Sequence, residues 1–184
     1  MRRPYLVGEN LYLRPLEESD IGEEYLSWVN DPEVTRYMET GRFPVPLLNL
    51  RTHFERFQNS TTDLIFAIVD RAADQHIGNV TLYLIDWVHR TGHIAIMIGR
   101  KDFWGKGYAF EAWSLLIEYA FQRLGLRKII AGAIAGNEAS IRALKKLGFK
   151  VEGTMRQQVF MDCEYRDGIL FGLLRDEFYK FGES

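Results

Sequence analysis

Hydrophobic and polar positions divide the chain into short strand-length runs and a few stretches with helical spacing. Leu11-Tyr12-Leu13-Arg14 alternates and reads as a first strand. Helical stretches follow around 21–30 and 45–58, separated by the Asn30-Asp31-Pro32 breaker. Leu64 to Val69 is an apolar run of strand length. His76 to Leu84 and His93 to Gly99 read as two more strands, joined through 86–91. The clearest helix runs from about Gly107 to Leu124, where Ala109, Ala112, Trp113, Leu116, Ile117, Ala120 and Phe121 make a wide apolar face. Gly125 suits the position just beyond its end. Arg127 to Ala135 is then a buried strand. Asn137 is a good N-cap for a short helix through Leu147, with Gly148 as its stop. Phe149 to Gly153, Gln158 to Met161 and Ile169 to Leu174 complete the strands. Strands alternating with helices, around a strand–loop–helix–strand–helix centre, predict an α/β (α+β) fold with both faces of its sheet covered.

Composition narrows the class. The 184 residues suit one domain, expected over 1–184, with no repeat, linker or low-complexity tract inside it. The 23 Lys+Arg against 25 Asp+Glu give a net charge of -2, which argues against a nucleic-acid surface. The single cysteine, Cys163, excludes an intramolecular disulfide framework and has no neighbouring Cys for a zinc site, so no metal is expected. No apolar run approaches the ~18 residues of a spanning helix, so no membrane partner is expected. Met1-Arg2-Arg3-Pro4 lacks the apolar stretch of a signal peptide. A cytoplasmic location is therefore expected.

The candidate chemistry begins at Trp104-Gly105-Lys106-Gly107-Tyr108-Ala109, between a strand and the long helix. Unpaired N–H groups at a helix start, approached over small residues, make a phosphate or pyrophosphate site. A turn that merely starts a helix has the same letters. A P-loop would need a glycine where Arg100 stands and Ser or Thr where Gly107 stands. The dinucleotide fingerprint would need a third glycine where Phe110 stands. Both are rejected. The segment instead resembles the acyl-CoA pyrophosphate loop of the GNAT acetyltransferase superfamily, Gln/Arg-x-x-Gly-x-Gly/Ala. Gly107 and Ala109 match, and Trp104 replaces the Gln/Arg, as in the ribosomal-protein N-terminal acetyltransferase branch. The resemblance extends to Leu13-Arg14-Pro15-Leu16, Trp28 to Val34, Asn137-x-x-Ser140, Leu147-Gly148-Phe149 and Glu152-Gly153, in the right order along the chain.

That resemblance implies a mixed sheet of about seven strands, splayed between its fourth and fifth, flanked by about four helices. Acetyl-CoA is implied as co-substrate. Its pantetheine arm would lie against the backbone of Met97, Ile98 and Gly99, and its pyrophosphate against Trp104, Gly105, Lys106, Gly107, Tyr108 and Ala109. Arg100, Lys101 and Lys106 could add charge near the phosphates, and Asn137 would contact the cofactor near its reacting end. In the family a neutral amine attacks the thioester, leaving an oxyanion and then a thiolate. The Tyr that often protonates the thiolate is replaced here by Leu144, so Ser140 is the candidate acid, although it also suits a capping role beside Asn137. His93, where the branch commonly carries Glu, is the candidate base. It equally suits a half-buried strand position against Trp87, while His76 and His89 suit surface positions at strand ends.

The implied acceptor is a small-molecule or peptide amine. A Lys side chain (pKa ~10.4) needs more help to lose its proton than an α-amine (~7.7–8.0). The N-terminal helices offer Glu23, Glu24, Asp31, Glu33 and Glu39, a cluster that suits a cationic amine. Nucleotide-linked amino-sugars stay open as acceptors. So do a homodimeric state, a non-catalytic acyl-CoA-binding module, and a structural partner-binding role for Phe103, Trp104 and Tyr108.

Overall fold

The structure, a computed structural model, describes residues 3–182, so Met1 and Arg2 of the N-terminal reading lie outside the described residues. Eight strands form one sheet: β1 (Leu6–Val7), β2 (Leu11–Pro15), β3 (Leu64–Asp70), β4 (Gln75–Asp86), β5 (Thr91–Ile98), β6 (Lys128–Ile134), β7 (Lys150–Met161) and β8 (Glu164–Leu174). Their order in space is β1-β2-β3-β4-β5-β6-β8-β7, antiparallel throughout except for the β5–β6 pair. Five α-helices accompany them: α1 (Glu23–Val29), α2 (Leu47–Gln58), α3 (Tyr108–Gln122), α4 (Glu138–Lys146) and α5 (Arg175–Gly182). The count is therefore eight strands rather than about seven, and five helices rather than about four. The two-residue β1 makes the central parallel pair the fifth and sixth strands. It is too short to show a period, and it exists by pairing Leu6 with Leu13 and Val7 with Tyr12.

Alternation along the strands sorts side chains into two cores, one on each face of the sheet. Leu11, Leu13, Phe66, Ile68 and Ile94 pack against the apolar face of α3, including Ala112, Leu116, Ile117 and Phe121. On the other face Tyr12, Val69 and Met97 pack against Tyr25, Trp28 and Val29 of α1 and Leu50 of α2. α4 begins and ends as its sequence requires. Asn137 Oδ1 accepts the Ser140 N–H at 3.3 Å. Beyond the helix, Gly148 at φ +90° lets the N–H groups of Gly148 and Phe149 close on Lys145 and Leu144.

Two elements depart from the sequence pattern. β7 is one continuous strand rather than two, with bulges between Val151 and Gly153 and between Met155 and Val159. It is an edge strand exposed on most positions, so no burial period marks it, and the bulge absorbs the polar Arg156-Gln157 step. α5 is a C-terminal helix that the sequence pattern above does not include. It starts where Glu177 Oε2 accepts the Leu174 N–H at 3.0 Å, and the Phe178 ring lies tilted against Phe121 with centroids 5.7 Å apart.

Candidate active site

The seam between β5 and β6 carries only a short ladder. Thr91 pairs with Lys128, Gly92 with Ile129, His93 with Ile130 and Ile94 with Ala131, and the pairing stops there although both strands continue. The neighbouring ladders set the phase of the unpaired stretch. Gly99 N–H donates to Ile77 O at 2.9 Å, so alternation turns the backbone of Ala95 and Met97 towards β4 and that of Ile96 and Ile98 towards β6. Ala135 N–H donates to Asp167 O at 2.9 Å, which in the same way turns Gly132 and Ile134 towards β5. The N–H and C=O of Ile96 and the N–H of Ile98 thus face the seam with no strand partner among the described residues. The Ile98 carbonyl accepts Trp104 Nε1–H at 2.8 Å, tying the following loop back to the strand.

That loop leads into α3 through two glycines in the left-handed region, Gly105 at φ +72° and Gly107 at φ +87°. A Cβ on either would meet nothing within 4 Å, so the space above both is open. Gly107 is the N-cap of α3 and contributes no side-chain cap. The first helical bond is Glu111 N–H to Gly107 O at 3.1 Å, which leaves the N–H groups of Tyr108, Ala109 and Phe110 without a protein acceptor among the described residues. Glu111 is the acidic residue of this turn. It points away to hold the β1–β2 turn, accepting Asn10 N–H at 2.9 Å. The Tyr108 hydroxyl donates to Asp70, which pushes its pKa up to about 12 and keeps it a phenol.

Seam and loop open into one cavity of about 1490 Å³, larger than the ~300–1,000 Å³ of an ordinary small-ligand pocket. Met97, Ile98, Trp104, Gly105, Gly107, Tyr108, Ala109, Asn137 and Ser140 line it together. Gly99, Lys106 and His93 lie outside the lining. Gly99 is packed under Trp28, whose ring leaves no room for a Cβ there. The Lys106 ammonium sits 5.5 Å from the Phe103 ring centroid.

The acetyltransferase (GNAT) domain family matches residues 10–150 of this sequence. The chain belongs to the GNAT acetyltransferase family. Among its relatives is the uncharacterized N-acetyltransferase p20 of Bacillus licheniformis, 33% identical over 94% of this chain and 97% of the relative. The spermidine N(1)-acetyltransferase of Escherichia coli (strain K12) is 28% identical over 93% of this chain and 89% of that protein. The fold matches the crystal structure of spermidine N-acetyltransferase from Vibrio cholerae in complex with CoA and spermine. The TM-score is 0.84 at 24% identity, over 92% of this chain and 98% of that one. The protein is accordingly an N-acetyltransferase, an enzyme that transfers acetyl groups to amines.

Around the seam of this acetyltransferase, the candidate acid and base stand at different depths. Ser140 lines the cavity on the first turn of α4, and its backbone N–H is the group capped by Asn137. Leu144, one turn on, is fully buried in the core against α3. His93 shares a face of β5 with Ala95 and Met97 but sits below the seam's opening, its ring 5.5 Å from that of Tyr83 rather than against Trp87. Tyr83 lines the cavity; His93 does not. Burial lowers the His93 pKa, so its imidazole is neutral at pH 7, and burial raises that of Tyr83.

Sequence reasoning missed three things. His53, on the inner face of α2, lines the cavity, and burial and Arg56 lower its pKa. His76 is largely buried rather than at the surface, its side chain 12% exposed. Its Nε2 is 2.9 Å from both Gly78 O and Asn79 Oδ1, and Nδ1 is 3.8 Å from Asp20, which holds buried Arg14 in two bonds of 2.6 and 2.8 Å. The third miss concerns charge. Two of the basic groups and three of the acidic groups read as facing separate ligands instead face each other. Arg100 binds Glu24 at 2.8 Å, and Lys101 binds Asp31 at 2.8 Å and Glu33 at 2.6 Å. The segment between α1 and α2 is also anchored across the cavity. Tyr37 Oη donates to Gly136 O at 3.0 Å, and Arg36 pairs with Asp162 of the β7–β8 turn at 3.0 Å.

Proposed function

We propose that the enzyme uses acetyl-CoA as its acetyl donor, with the pyrophosphate at the start of α3 and the pantetheine arm in the β5–β6 seam. The observation that carries this reading is the coincidence of two unmet backbone surfaces in one cavity. One is the edge of Ile96 and Ile98 beyond the end of the ladder; the other is the three N–H groups behind Gly107. The first suits the amides of an extended arm, which can take the place of a missing strand partner. The second suits a doubly charged diphosphate, favoured further by the positive end of the helix dipole. The left-handed glycines admit both because no side chain stands over them. Lys106 lies beside the loop and serves as a solvent-side counter-charge, while Arg100 and Lys101 are committed to the N-terminal carboxylates.

The remaining residues order the reacting end. Asn137 holds the start of α4 against the seam, with Ser140 one turn inward, where its hydroxyl can give a proton to the departing thiolate. The neutral amine approaches from the α1–α2 face of the sheet, across Ala95 and Met97. His93, neutral at pH 7 but outside the lining, accepts the amine proton through a water beside Tyr83 rather than by direct contact. The acceptor is a small-molecule or peptide amine. The relatives named for spermidine make polyamines one candidate class, and ribosomal-protein N-termini are another, through the resemblance of the loop. Isothermal titration of the protein with acetyl-CoA tests the donor. The expected result is one site per chain, with thiol release when amines are added. Absence of binding at high micromolar acetyl-CoA refutes the assignment.

A further inference from the structure

The segment between α1 and α2, residues 31–45, is packed on itself in the manner of an Ω-loop. Asn30 ties its two ends together: Oδ1 accepts the Val45 N–H at 2.8 Å, and Nδ2 donates to Val45 O at 2.9 Å. Inside it, Asp31 O accepts the Thr35 N–H at 3.0 Å and the Thr35 hydroxyl at 2.8 Å, and Thr35 O accepts the Met38 N–H at 2.8 Å. Gly41, at φ +88°, lies directly over the Thr35 side chain, which leaves no room for a Cβ. The segment lines the cavity from Glu33 to Val45 and is moored on the β1–β5 side by Lys101, through Asp31 and Glu33.

Its middle reaches the other side of the seam. Tyr37 Oη donates to Gly136 O at 3.0 Å, a bond between residues 99 apart in the chain, and Arg36 pairs with Asp162 at 3.0 Å. Gly136 is the residue before Asn137. It holds φ +98°, and a Cβ there would crowd the Arg166 guanidinium, so this turn is confined from both sides. The Asn137 N–H then donates to Ile134 O at 2.9 Å, and Asn137 Oδ1 caps the Ser140 N–H. Backbone pairing between β5 and β6 has already ended at Ile94 and Ala131, so it does not fix this turn against the β5 edge. The strap does so through side chains. It is bonded closely at its base and lightly at its far contacts, where the Arg36 and Asp162 side chains are 53% and 49% exposed. We infer that Tyr37 is a positioning residue for acetyl transfer, on the reading that the cavity is the transfer site with Ser140 at its reacting end. By holding Gly136 it sets Asn137 and Ser140 against the acceptor wall, so that strap and α4 close around the amine together.

The test uses Tyr37→Phe in the full chain, which keeps the ring and removes only the hydroxyl. Without ligand, amide exchange at Ser140 and Ile141, the first bonded N–H groups of α4, should quicken about 2- to 10-fold, the worth of one hydrogen bond, while exchange in β2 and β3 is unchanged. Acetyl-CoA should bind within about twofold of the original dissociation constant, because its diphosphate lies at the far end of the cavity. By contrast, kcat for thiol release with spermidine or a peptide N-terminus as acceptor should fall about 2- to 10-fold. Arg36→Ala should act in the same direction, more weakly and only at low salt. Unmoved exchange at the start of α4 overturns the inference, and so does an unchanged kcat. Exchange that quickens equally through the whole sheet marks a purely structural tie and overturns it as well. Where the unmodified chain binds no acetyl-CoA or acetylates neither amine, the failure falls on the donor or acceptor assignment, and exchange at α4 alone decides whether Tyr37 holds that turn.

Discussion

Replacing Gly107 by alanine separates a backbone cost from a ligand cost. Gly107 holds φ +87° and ψ -4°, a conformation that costs a residue with a Cβ about 1–2 kcal/mol. The new methyl meets nothing within 4 Å, so no clash adds to that cost in the free protein. For a domain of this size the melting temperature should fall by about 2–8 °C. On the proposed placement acetyl-CoA should suffer more, because the methyl would occupy the space through which its diphosphate reaches the N–H groups of Tyr108, Ala109 and Phe110. Each charge-assisted bond of this kind is worth about 1.5–3 kcal/mol, so losing one should weaken binding by roughly 10- to 150-fold. Calorimetric titration of both proteins, well below their melting temperatures, gives the two dissociation constants. A variant that melts lower but binds acetyl-CoA as tightly as the unmodified chain would refute the placement of the diphosphate. Gly107→Trp extends the test and should abolish binding outright.

The other groups around the seam give sharper contrasts. Ser140→Ala should leave the melting temperature within about 1 °C and lower kcat by ~10²-fold, if the hydroxyl protonates the thiolate; an unchanged kcat assigns that proton to water. Asn137→Ala should cost about 1 kcal/mol through loss of the α4 cap, read as a drop of about 2–4 °C in melting temperature. His93→Ala should lower turnover more at pH 6.5 than at pH 9, where free amine is plentiful, and a loss uniform in pH would mark packing against Tyr83. His53, His76 and His93 all have lowered pKa values, so the unfolded chain binds more protons than the folded one below the ordinary value of ~6.5. Stability should therefore fall as pH drops from 7 through that window, and His76→Gln should flatten part of the fall; a melting temperature constant from pH 7 to 5 contradicts it. Asp20, whose pKa is also lowered, contributes stability that is lost only at more acid pH, below about 4.

The elements with a strong period were legible in the sequence, and those made by pairing were not. α3 shows its buried face as Ala112, Trp113, Leu116, Ile117, Ala120 and Phe121, and its boundaries fall within two residues of the pattern. β1 and the joined β7 have no such signal, because they are held by a neighbour's backbone rather than by an apolar face. The same division runs through the site. The glycine loop, Asn137 and Ser140 reached the cavity because local rules govern a turn and a cap. His93 was singled out by the resemblance alone, and it lies outside the lining. What alternation cannot give is how far along that strand the ladder ends, and the ladder ends one residue past His93. The ion pairs were illegible for a related reason: Lys101 and Glu33 are 68 residues apart, and only the packing of α1 against the end of β5 brings them together. Arg14 carried a weak signal, a charge inside an apolar strand with Asp20 six residues on.

The short ladder at the centre of the sheet also bears on how the chain assembles. Everything from β1 to β5 is antiparallel and linked strand to strand in chain order, and β7 and β8 form a hairpin beside β6. The β2–β3 connection over 16–63 is longer than the α3 crossover over 99–127, but the crossover closes on only four residue pairs. The junction is thus a weakly bonded line of backbone inside a single core that spans both halves of the sheet. On the proposed placement of the donor, its arm would make the bonds the chain leaves out and tie the two sides of the seam together. Amide exchange in β5 and β6 should then report on donor occupancy more sharply than exchange anywhere in the outer strands.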